Sequence, residues 1–163
     1  MSMSNVMKIE RRNNKNKEIR NLVSKAKEVC FSFFNREYKY SAKEAVDELG
    51  LDDELVHQLV EDYVAQIIKS VIQFEKILYA LKSNKDAKKE LDYTELRELA
   101  HKNLGVARNL RIKDGEIILH DLMQKEDLVY LFKCIEVLRA SVIVLKPKYA
   151  FNTIKLIEVK STF

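Results

Sequence analysis

Three glycines and one proline in 163 residues leave this chain few places to turn. A sheet protein of this size needs a reverse turn roughly every ten residues, and such turns draw on Gly, Pro, Asn and Asp. Here Leu, Ile and Val instead recur at spacings of three and four between charged residues. That is the period of a helix with one buried face, so the chain is expected to be all-α. Hydrophobic residues at 47% suffice for a core, and charged residues at 33% suffice for its solvated exterior. The length fits one domain with additions at its ends.

Residues 1–16 are polar, basic and rich in Asn, and read as a frayed arm. From Lys17 to Phe34 the residues Ile19, Leu22, Val23, Ala26, Val29, Cys30 and Phe33 mark a helix, which Asn35 to Tyr40 interrupts. Ser41 with Glu44 has the pattern of a capping box for a short helix over 42–49, closed by Gly50. Asp52 is placed to cap the longest helix, over 53–82, with Val56, Val60, Tyr63, Ile67, Phe74 and Leu78 in its stripe. Asp92 is placed to cap a helix running to Arg111. Lys113-Asp-Gly115 reads as a turn, and a shorter helix follows over 116–123. Glu126 or Asp127 opens the last long helix, which Pro147 stops. The segment from Thr153 to Val159 alternates apolar and polar residues, and fits either a strand or an extended cover. Short connections between long helices favour antiparallel neighbours. The expected architecture is therefore an up-down antiparallel four-helix bundle with extra N-terminal helices. Residues 1–40 would be a basic arm and helix, 41–150 the bundle and 151–163 a tail.

No apolar run approaches the roughly 18 residues that span a bilayer, and no apolar signal core opens the chain. A cytoplasmic protein without a membrane partner is expected. Cys30 and Cys134 lack neighbouring Cys or His at ligand spacing, so both read as reduced core thiols and no metal site is expected. Six basic residues against two acids between Lys8 and Arg20 account for the whole net charge of +4. A neutral body with a basic arm is not the pattern of a dedicated phosphate-binding surface. The arm also lacks base-stacking aromatics, so a nucleic-acid partner is not expected. His57 and His120 read as ordinary surface residues. No Gly-rich phosphate loop, paired-carboxylate site or Ser/His/Asp order points to a free-standing enzyme.

One stretch stands apart. On a wheel at 100° per residue, Leu96, Leu99, Ala100, Asn103, Ala107 and Leu110 share one face. His101, Gly105 and Arg108 lie opposite, with Arg97 and Leu104 on the flanks. Glycine inside a helix costs about 1 kcal/mol relative to Ala. Close approach by another molecule is one way to offset that loss.

The sequence Ala100-His-Lys-Asn-Leu-Gly-Val-Ala-Arg-Asn-Leu-Arg-Ile112 resembles the signature of the histidine-containing phosphotransfer (HPt) family. The shared features are a His, a Gly four residues on, a small residue six on and an apolar residue nine on. The similarity extends over about 41–150, with Ala45-Val-Asp-Glu-Leu-Gly-Leu51 as lead-in and the helix bearing Tyr63 as the first of the bundle. The resemblance implies an HPt-like bundle in which His101 is the phosphoacceptor. It would take a phosphoryl group from a response-regulator receiver or hybrid histidine kinase and pass it to another receiver of a two-component system. Gly105 would leave room for that partner, Arg97, Lys102 and Arg108 would support the phosphoryl charge, and Leu104 and Val106 would be contact positions. Such a phosphoryl carrier holds no cofactor of its own, because Mg²⁺ belongs to the receiver. The family has a cation three residues after the His and an apolar residue two after it, where this chain has Leu104 and Asn103. An HPt-like interaction module that docks a receiver or another signalling protein without accepting phosphate is the alternative. The oligomeric state is open.

Overall fold

The computed structural model describes residues 3–161, with side chains from residue 4, so 1–2 of the expected arm and 162–163 of the expected tail lie outside it. The described residues form seven helices in order: α1 Met3–Phe34, α2 Lys43–Leu49, α3 Asp53–Asp86, α4 Thr94–Asn109, α5 Lys113–Gln124, α6 Leu128–Leu145 and α7 Pro147–Ser161. Among the described residues there is no strand.

Three local expectations change. The arm is helical: α1 continues without Gly or Pro from residue 3. Its C-terminal half is docked on the rest of the protein, so extension needs no new nucleus. The 153–159 segment is helix as well. Ala150 and Phe151 are buried, and Ile154 and Ile157 pack beside the core at the following three- and four-residue steps. That helical period overrides the short alternation. Pro147 stops α6 as expected, since Lys146 before it leaves the helical region and α6 ends at Leu145, and it is also the first residue of α7, where its missing N–H is harmless. Lys113-Asp-Gly115 is not the turn but the first turn of α5. The reversal lies just before it, with Arg111 at φ +58°.

The caps follow the sequence more closely. Asp52 and Asp127 accept hydrogen bonds from the N–H groups of Glu54 and Tyr130, whereas Asp92 accepts from Thr94 N–H at 3.0 Å from one residue ahead of Tyr93, which holds the cap position of α4. Gly50 ends α2 at φ +64°, where an L side chain is strained. Ser41 accepts from Lys43 N–H at 3.3 Å, which is a local turn and not the capping box expected with Glu44. Glu44 instead faces Lys113 at 3.7 Å.

Helix α6 is the most apolar element and lies at the centre. It packs against α1, α3, α5 and α7, while α4 packs against α3 and α5. Buried residues of α1 (Ala26, Cys30) share one continuous core with Phe74, Leu96, Leu119 and Leu138, so the core crosses the boundary expected at residue 40. The segment after α1 is tied to the α4–α5 turn by polar contacts. Arg36 pairs with buried Asp114, and Arg111 with Glu48. Tyr40 donates to Leu110 O at 2.9 Å.

Gly115 sits against Tyr63, and a Cβ there would run into the phenol oxygen. That hydroxyl is fully buried without a hydrogen-bond partner. Gly115→Ala should therefore destabilise the fold by about 2 kcal/mol through overpacking. Tyr63→Phe should be neutral or stabilising, since it removes an unsatisfied polar atom. In the double variant the Ala penalty should largely disappear. Urea unfolding of the four proteins checks this coupling; an unchanged Ala penalty in the Phe background would place the clash elsewhere.

Candidate functional site

Helix α4 carries its core face through Leu96, Ala100, Asn103, Leu104 and Ala107, all buried. His101, Lys102, Gly105 and Arg108 are exposed. The buried Asn103 amide is fully employed: Nδ2 donates to Ser70 Oγ at 3.1 Å and to Leu99 O at 3.0 Å. Ser70 also receives a bond from Gln66. An amide that would be costly if unpaired thus fixes α4 to α3.

Two ion pairs align α4 with the α5 region in antiparallel order. Arg97 Nη2 lies 2.6 Å from Glu126 Oε1, and Arg108 Nε lies 3.6 Å from Glu116 Oε1. Arg97 also rests over the Tyr93 ring, 5.5 Å from its centroid. Of the three cations assigned to the phosphoryl group, two are therefore occupied by carboxylates. Lys102 has no ion pair among the described residues.

Gly105, one turn after His101, faces open space, since a Cβ there would meet nothing within 4 Å. The interior of this molecule does not require glycine at that position. His101 is likewise free of hydrogen bonds and ion pairs among the described residues. Val106 is 40% exposed and available for contact, whereas Leu104 is 1% exposed. The expected contact role of Leu104 is thus replaced by packing: its side chain turns into the α4 core face, and a partner at the surface cannot reach it.

A mostly apolar groove of about 520 Å³ runs beside this face, lined by Leu49, Leu59, Gln66, Val106, Asn109 and Leu110 among others. The sequence pattern singled out only Val106 of this set as a contact position, and it placed Leu110 on the core face. The other residues come from α2, α3 and the end of α4, and no local spacing connects them.

The other histidines stand apart from this arrangement. His57 lies at the start of α3, 3.6 Å from Asp53 and 3.2 Å from Lys146. His120 is exposed on α5. Among the described residues no group of three or more His, Cys, Asp and Glu is arranged to hold a metal. Burial pushes the Cys30 thiol up to about 11, with Asp114 adding to the effect, and the Cys134 thiol up to about 12. Both should stay protonated and unreactive in the native protein at neutral pH. Titration with a chromogenic disulfide should find no fast thiol before unfolding and two after it; a fast native thiol would contradict this burial.

No described helix is long and apolar enough to cross a membrane. No family model, curated protein or solved structure matches this chain.

Proposed function

We propose that this protein is a cytoplasmic HPt-like phosphoryl carrier, with His101 as phosphoacceptor between receiver domains. The observation that carries the reading is the pairing of an unengaged, exposed His101 with Gly105, whose missing side chain leaves open space one turn away. Helices α3 to α6 contact one another in sequence order, and α3 also contacts α6. The connections between them run over 87–93, 110–112 and 125–127. These features support the up-down four-helix arrangement that the HPt resemblance implies, with His101 on its second helix.

Neutral imidazole is nucleophilic near pH 7. A ring nitrogen of His101 attacks the phosphorus of a receiver's aspartyl phosphate, the N–P bond forms, and the P–O bond to the aspartyl carboxylate breaks. The receiver provides Mg²⁺ and this chain provides the nucleophile, Lys102 as a nearby cation, and Gly105 as clearance. Val106 and the groove beside it offer apolar contact to the partner.

A second reading follows from the charge arrangement. Arg97 and Arg108 are held by Glu126 and Glu116, and Leu104 is buried where the HPt pattern has a cation. An HPt-like module that docks receivers without accepting phosphate fits these facts. Label transfer from a phosphorylated receiver separates the two: acid-labile label on the protein supports the carrier, and binding without label supports the docking module.

A further inference from the structure

As a disordered tail, the stretch from Lys8 to Arg20 would be diffuse charge. As a helix it has faces. Every residue from Ser4 to Glu18 is exposed, and Ile19 is the first buried one. The stripe that packs α1 onto the protein through Ile19, Leu22, Val23, Ala26 and Cys30 continues toward the N-terminus as Lys15, Arg12, Arg11 and Lys8. Where the core ends, the same face becomes cationic.

Helix α7 extends this charge. Lys15 of α1 and Lys155 of α7 both reach the Phe151 ring, with ammonium groups 6.0 and 5.4 Å from its centroid. Two cations from separate helices on one ring is an arrangement that a bound anion would relieve. Lys155 has a single carboxylate nearby, Glu158 at 3.5 Å, while no α1 cation is in an ion pair among the described residues. α7 bears three lysines against one glutamate, and Lys8 to Arg20 bears six cations against two acids. The rest of the chain is therefore slightly acidic, and the positive charge is gathered on these two helices.

We propose that the face formed by Lys8, Arg11, Arg12 and Lys15 of α1, with Lys155 of α7, binds the phosphate backbone of duplex DNA. The four α1 cations span about 10 Å along a helix whose width fits a major groove about 12 Å across. The major groove of duplex RNA is too narrow for such an approach. A membrane surface fits less well. The row opposite the cations is Val6, Glu10, Asn13 and Lys17, and the helix has no aromatic residue or Leu before Leu22 to enter a bilayer. This surface is independent of His101.

The test is fluorescence anisotropy of a labelled short duplex with the full chain. Five neutralised phosphates predict a log–log salt slope of about −4.5, or about a five-hundredfold loss of affinity between 50 and 200 mM salt. Replacing Lys8, Arg11, Arg12 and Lys15 together by Ala should abolish binding at physiological salt and leave the melting temperature unchanged, because all four are exposed. Lys155→Ala alone should flatten the slope by about 1. Absence of binding at 50 mM salt, an undiminished slope in the fourfold variant, or equal binding to phosphatidylserine–phosphatidylcholine vesicles would each overturn the proposal.

Discussion

A His101→Gln variant should accept no label from a phosphorylated receiver that labels the wild type, while its circular dichroism and melting temperature stay the same. The side chain is exposed and engages no other described residue, so its replacement should shift stability by no more than about 0.5 kcal/mol. Gln keeps similar length and polarity but has no nucleophilic ring nitrogen. The expected effect on transfer is thus complete, and the label on the wild type should be lost in acid and retained in base. Label persisting on the variant would move the acceptor to another residue, and His120 on α5 would be the next to replace.

Leu104→Lys should lower the unfolding free energy by about 2–4 kcal/mol. The HPt pattern has a cation at this position, so the substitution looks like a restoration. In the structure Leu104 is 1% exposed and belongs to the core with Leu96, Ala100 and Leu119. The change removes a buried aliphatic side chain, and the ammonium must either lose its water or pull the stem out of the packing. Urea unfolding gives the loss directly. Stability equal to wild type would mean that the side chain escapes to solvent at little cost, and the position could then host the cation after all. On the packing described, the substitution should not improve transfer.

The helices were legible in the sequence wherever an apolar stripe met a cap. Asp52, Gly50 and Asp127 end or start helices where their side chains or backbone freedom require it. A helix was not legible where its cause lies outside the segment itself. The arm before Lys17 has no apolar period of its own and is helical by extension from a docked half. The 153–159 alternation ignored Ala150 and Phe151, whose burial sets the register of α7. At the candidate site, the exposure of His101, Gly105 and Arg108 and the burial of Asn103 followed from the wheel. The inward turn of Leu104 did not, because that residue lies on the flank, where the packing of the neighbouring helices decides its side. The carboxylates that occupy Arg97 and Arg108 come from Glu126 and Glu116, and no spacing within α4 could reveal them.

The packing of α1 on α6 also orders events during synthesis. The partner face of α6 lies about a hundred residues after the end of α1. At ribosomal rates of about 5–20 residues per second, the stripe of Ile19, Leu22, Val23 and Ala26 waits on the order of 5–20 seconds for its partner. Until α6 emerges, the apolar stripe of α1 therefore lacks the cover that α6 gives it.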